Sequence, residues 1–279
     1  MNTKALVTLV IGDKYRQDWE KSFRRCVELY AQKYSYDVIA IDHYLDSGPL
    51  GSARPPHWQK LLILEHPQIR RYEQVVWIDA DILLNHHHAP CIATAAANSD
   101  KIGLVPYSLS EMGTPRKADN RFHRKLFAEQ TPRISQWYRH YGLADPAAPD
   151  VDDFTNTGVL VLRPRAHAPL FRWVYDNCKE IPGAHQENGP LSYHIFRLGL
   201  ANPLDERFNV SWNGEMMEHY PFLSSRKNFE NRALVSLCVN AAWNNSYFLH
   251  FVGATGRTCA DLVFTHRSSA NALEVVATA

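Results

Sequence analysis

Residues 75–84, VVWIDADILL, constrain this chain more than any other stretch. Val75, Val76, Trp77 and Ile78 are apolar on both faces of an extended chain, so they read as a strand covered by helices on either side. The strand delivers Asp79 and Asp81 at its end. In an extended chain residues i and i+2 point the same way, so both carboxylates aim at one spot. Left alone there they would repel each other and resist desolvation, and a divalent cation is the usual remedy. An Asp-x-Asp triplet elsewhere is ordinarily a solvated loop or a helix cap; the apolar sequence on both sides favours a metal here.

The remaining chain supports an α/β frame. Residues 5–11 (ALVTLVI) form a predicted strand ending in Gly12-Asp13. Trp19, Phe23, Val27, Tyr30 and Tyr34 then recur at helical spacing, and residues 37–42 (DVIAID) give a second strand. A β-α-β opening implies a parallel pair with ligands gathering beyond the strand carboxyl ends. Gly12, Asp13, Lys14 and Tyr15 fall on that edge, where Tyr15 could stack on a base and Asp13 could accept from a ring N–H. Either could equally be an ordinary surface loop residue.

Further along, residues 57–66 (HWQKLLILEH) suggest a helix presenting Lys60 near its start. Further strands are expected at 101–107, 159–163, 204–210, 233–239 and 247–252, and helices at 90–98, 134–141, 169–180 and 189–198. The run His86-His87-His88 reads as solvated, since adjacent loop side chains rarely converge on one ion. Gln186 and Glu187 precede the last helix, at a positive end suited to a carboxylate or a substrate hydroxyl; Glu187 reads equally as a capping residue. His250 lies in an apolar strand, the usual place for a core histidine, yet it precedes the Gly-rich run Gly253 to Arg257 and is a candidate third metal ligand. The run's glycines would let backbone N–H groups approach a phosphate, with Arg257 to pair with it.

With 279 residues, 45% of them hydrophobic, one large domain is expected over residues 1–258, with residues 259–279 as a tail and 108–155 as an acceptor-side insertion. A net charge of +1 offers no basic field for nucleic acid. Five scattered cysteines without a C-x-x-C pair fit a reducing, cytoplasmic setting. No segment reaches the roughly twenty apolar residues of a membrane span, so a soluble protein is expected, with peripheral membrane contact open.

Taken together, Trp58-x-Lys60, the WIDADILL strand, Asn156-Thr157-Gly158-Val159-Leu160, Arg207-Phe208-Asn209 and His250-Phe251-x-Gly253 resemble the nucleotide-sugar glycosyltransferases of the GT-A fold. The likeness is greatest to the retaining glycogenin and lipopolysaccharide galactosyltransferase group and the related α-galactosyl/xylosyltransferases, over residues 4–257. It implies a Rossmann-like single domain with a mostly parallel central sheet and helices on both faces. It also implies Mn²⁺ or Mg²⁺ on Asp79, Asp81 and His250, bridging the phosphates of a donor, UDP-sugar first. Lys60 and Arg257 would add charge there, Asn156 would touch the sugar, and Gln186 or Glu187 would lie near the anomeric carbon. The acceptor would be a hydroxyl of a glycan, a lipid-linked sugar or a protein. Two departures stand out: His185-Gln186-Glu187-Asn188 replaces the group's acidic-Gln pair, and Gly256-Arg257 stands where Lys-Pro-Trp commonly follows.

Rival readings are weaker. An aspartate-nucleophile phosphatase places its Asp-x-Asp on the first strand, whereas here a complete β-α-β unit precedes it. A sugar nucleotidyltransferase needs a Gly-rich first loop that IGDKYR lacks. A nucleotide-sugar or glycan-binding protein that keeps the fold without turnover remains the alternative.

Overall fold

The computed structural model describes residues 2–96, 99–108 and 133–263. Nine strands, β1 (Lys4–Leu9), β2 (Asp37–Ile41), β3 (Gln74–Ile78), β4 (Ile82–Leu84), β5 (Ile102–Leu104), β6 (Val159–Leu162), β7 (Ala201–Pro203), β8 (Val210–Ser211) and β9 (Phe248–His250), form two sheets among these residues. The larger follows the order β2-β1-β3-β6-β5-β7. Only β6 runs against its neighbours, so the expected mostly parallel sheet is present with one reversed strand.

The apolar character of β3 on both faces has the predicted cause. Val76 and Ile78 enter one core with Trp19, Phe23 and Val27, while Val75 and Trp77 enter the other with Trp58, Leu61 and Phe171. The first core is closed by the helical stretch after β1, where Asp13–Asp18, a π turn at Trp19–Phe23 and Arg24–Tyr34 follow without a break. The second is closed by the 3₁₀ segment Pro56–Glu65 and the helix Pro164–Asn177. A third cluster, Tyr107, Trp137, Tyr138, Val151, Phe154 and Tyr193, joins the helix Ile134–His140 to the helix Asn188–Arg197.

β3 ends at Ile78, and Asp79, Ala80 and Asp81 make the connection to β4. There the chain leaves the large sheet and joins the small one, ordered β4-β9-β8. Two backbone bonds bracket this connection. Asp79 N–H donates to Gly158 O at 2.8 Å from the large-sheet side, and Phe251 N–H donates to Asp81 O at 2.8 Å from the small-sheet side. The carboxylates therefore converge through a turn between two sheets rather than along one extended strand.

Several expectations need correction. Residues 233–239 (ALVSLCV) belong to the helix Arg232–Asn245, not a strand, with Asn231 as its N-cap accepting from Leu234 N–H at 3.1 Å. The stretch 204–210 is mostly a 3₁₀ turn, Glu206–Asn209, and only Val210 of it lies in a strand, β8. Gly253–Arg257 forms a short helix instead of an open phosphate-cradling loop. The helix expected from 169 starts at Pro164 and carries Pro169 inside it. Trp137, Tyr138 and Trp212 are buried in the core. Residues 109–132 of the expected insertion, the end of the 90–98 helix and most of the 259–279 tail lie outside the described residues, among which no helix is long and apolar enough to cross a membrane.

The helical assignment of 232–245 is testable. In a strand Val235, Leu237 and Val239 would share a face; in this helix Val235 and Val239 are buried while Leu237 is 56% exposed. Leu237→Lys should change unfolding free energy by less than about 0.5 kcal/mol, and Val239→Ala should cost on the order of 2 kcal/mol in urea denaturation. Equal losses at both positions would contradict the helix.

Candidate metal and donor site

Asp79, Asp81 and His250 come together although the third is far along the chain. Strand pairing explains this: β4 and β9 are antiparallel with Ile82 opposite His250, which sets His250 beside the residue following Asp81. His250 Nε2 lies 3.2 Å from Asp81 Oδ1 and 3.8 Å from Asp79 Oδ2. One ligand atom from each of the three residues lies within 4.8 Å of the others, and among the described residues no other group of this kind forms. Two carboxylates and an imidazole suit a divalent cation. The three residues expected as ligands are thus brought together and could hold such an ion.

Gly158 makes room for it. A Cβ there would lie 2.5 Å from His250 Cε1 and 2.8 Å from Asn156 Oδ1, closer than packing permits. The Gly in Asn156-Thr157-Gly158 is a demand of His250.

Behind the carboxylates sits a second charged layer. Lys60 is 3% exposed, and its ammonium donates to Glu187 at 2.6 Å and Thr157 Oγ1 at 3.0 Å, with Asp79 Oδ1 at 3.5 Å. Burial opposes the Lys60 charge, but Asp79 and Glu187 outweigh it and hold its pKa above the ordinary lysine value. Glu187 is 1% exposed and stands at the N-cap of Asn188–Arg197, yet its side chain makes no capping bond and pairs with Lys60. That decides against the capping reading. Gln186, by contrast, is exposed, and both it and His185 have positive φ, 59° and 55°. Such backbone is costly for residues other than glycine and recurs where function fixes a side chain's direction.

Arg257 reaches back over the site. Its guanidinium lies 3.5 Å from Asp81 Oδ2, 3.7 Å from Asp18 Oδ2 and 4.7 Å from the centre of the Tyr15 ring. Tyr15 and Asp13 lie in a helix rather than a loop; Tyr15 is exposed on the predicted edge, and Asp13 pairs with Arg16 at 2.5 Å. Gly253 takes φ 78° at the start of the turn carrying Arg257. Asn156 is exposed, with its Oδ1 accepting Gly158 N–H at 2.9 Å.

Residues without an assigned role also emerge. His57 Nε2 lies 3.4 Å from Glu187 Oε2 and 3.6 Å from Glu180 Oε2. Asn188 Oδ1 accepts from the backbone N–H and the hydroxyl of Thr157, and Asn209 bridges Asn156 and His250. The sequence signal for Thr157, Asn188 and Asn209 was membership in the motifs already noted; nothing local marks His57.

Two outcomes follow from this geometry. Gly158→Ala should displace His250 and weaken Mn²⁺ binding about 10–100-fold, read by electron paramagnetic resonance of free Mn²⁺; an unchanged affinity would refute the clash. Burial opposes protonation of His250, but Asp81 and Asp79 prevail and raise its pKa above the ordinary value of about 6.5. A raised pKa keeps the proton on the ring to higher pH, and only the neutral ring can ligate. Mn²⁺ affinity should therefore fall as pH drops, starting above about 6.5. A flat profile down to about pH 6 would show that His250 is not a ligand.

Comparison at the level of sequence finds no matching family model and no matching curated protein. Solved structures do match. A glycosyltransferase involved in the glycosylation of the major capsid of PBCV-1 gives a TM-score of 0.53 at 13% identity, over 92% of this chain and 97% of its own. The apo structure of WbbM, a bifunctional glycosyltransferase, gives 0.55 at 12% identity over 98% of this chain, which spans 51% of that protein. Likeness of this kind speaks for the backbone, and by it the chain has the GT-A fold of glycosyltransferases.

Proposed function

We propose that the protein is a metal-dependent glycosyltransferase that moves a sugar from a nucleoside diphosphate, UDP in the first instance, to a hydroxyl acceptor with retention of configuration. The observation that carries this is the Asp79, Asp81 and His250 cluster at the carboxyl end of β3, in a chain with a glycosyltransferase fold. When bound, a divalent cation, Mn²⁺ by ligand preference, would neutralise the departing diphosphate.

The chain's own residues supply the rest. Tyr15 offers its exposed ring to the base, and Arg257, held between Tyr15 and Asp81, is placed to turn to the diphosphate. Asn156 faces the sugar, and Asp13 and Gly253 border the nucleotide. Lys60 is enclosed by Glu187, Thr157 and Asp79, so it acts on the diphosphate through its charge and through Asp79. Of the pair at the helix start, exposed Gln186 is the residue for the anomeric carbon, and Glu187 positions it through Lys60. A carboxylate buried against an ammonium is poorly placed to deprotonate an acceptor hydroxyl, which supports retention over an inverting displacement. The acceptor is a glycan, lipid-linked or protein hydroxyl, and a cytoplasmic setting suits the free thiols of the described cysteines.

Binding of a panel of UDP- and GDP-sugars, with Mn²⁺ and with chelator, tests this for wild type and Asp81→Ala. One donor should bind only with metal, and Asp81→Ala should weaken it by at least about 100-fold. Binding that ignores metal and the substitution alike would sink the proposal. Metal-dependent binding with no transfer to any acceptor would leave a nucleotide-sugar binding protein.

A further inference from the structure

Asn209 occupies an unusual place: it ends the turn Glu206–Asn209, and its amide lies between Asn156 and His250. Its Nδ2 faces two oxygens, Asn156 O at 3.1 Å and Asn156 Oδ1 at 3.3 Å. Oxygens accept, so the NH₂ end must point there and Oδ1 must point the other way, to His250 Nδ1 at 3.0 Å. An amide oxygen cannot donate, so the proton in that contact belongs to Nδ1. In the neutral ring His250 Nε2 then keeps its lone pair, aimed at the space beside Asp81.

The same logic runs to the other end. Asn156 Oδ1 receives Gly158 N–H at 2.9 Å as well as Asn209 Nδ2, so the oxygen is committed inward. Its Nδ2 has no partner among the described residues. Donation in this network converges on Asn156: Gly158 N–H enters from one side and Asn209 Nδ2 from the other, while His250 Nδ1–H donates to Asn209 Oδ1. Reversing the Asn209 amide would turn its oxygen onto two other oxygens.

We infer that Asn209 is a positioning residue that fixes both the Nδ1-protonated tautomer of His250 and the amide orientation of Asn156, which therefore meets its ligand as an N–H donor to a sugar oxygen. The inference rests on the metal and donor reading above for its purpose, though not for its geometry. Without Asn209, Asp81 is the remaining partner of the ring, and it draws the proton to Nε2, the atom needed by a cation.

Long-range ¹H–¹⁵N spectra of metal-free protein labelled at histidine nitrogen, at alkaline pH where the ring is neutral, read the tautomer directly; His250→Gln identifies its signal among the 14 histidines. Wild type should be protonated at Nδ1, and Asn209→Ala should move the proton to Nε2. Asn209→Asp gives up the donor to Asn156 but keeps an acceptor for Nδ1–H, and should retain the wild-type tautomer of His250, which separates the effect on the ring from loss of fold. Mn²⁺ affinity should fall about 10–100-fold in Asn209→Ala and not in Asn209→Asp. A wild-type ring protonated at Nε2, or a tautomer unmoved by Asn209→Ala, would overturn the assignment. Failure of wild type to bind Mn²⁺ would bring down the metal reading alone, since the tautomer still decides the role of Asn209.

Discussion

The site depends on how three carboxylates are tolerated near one another at the edge of a buried sheet. Asp79, Asp81 and Glu187 meet two protein cations, Lys60 and Arg257, with His250 between them. Lys60 and Glu187 are nearly sealed from water, so each depends on the other: removing one partner of such a pair characteristically costs about 3–5 kcal/mol, because the remaining charge is left buried. The outer pair of aspartates has weaker and longer contacts to protein cations. The charge layer is thus graded, tightly paired at the back and loosely paired at the front.

That gradation explains which parts were readable from the sequence. β3 and its aspartates were legible because both lie in one short segment whose apolar residues can only be a doubly covered strand. His250 was legible as a candidate from its place just before the Gly-rich run and from the His250-Phe251-x-Gly253 motif. The Lys60–Glu187 pair was not, because its members come from separate elements and meet only in three dimensions. Sequence pattern also left Gln186 and Glu187 undivided, and the division is a matter of burial: adjacent residues, one facing out and one sealed against Lys60.

The misread helix Arg232–Asn245 has a different cause. A short apolar run such as ALVSLCV satisfies strand and helix alike, and the discriminating signal was Asn231, a capping residue just upstream. The Gly253 to Arg257 run failed in the opposite direction: its glycines suggested an open loop, but the chain coils into a turn that carries Arg257 over Tyr15. In both places local composition was consistent with two structures, and tertiary packing chose between them.

The change of sheet at Asp79 to Asp81 has a mechanical meaning. Asp79 is tied by its backbone to Gly158, just before β6 of the large sheet, whereas Asp81 is tied to Phe251, just after His250 of the small one. The distance between ligands is therefore a ruler for how the two sheets sit against each other. A ligand bridging them would act as a rivet between parts of the chain separated by most of its length, and any drift of one sheet would be felt first as a change in coordination.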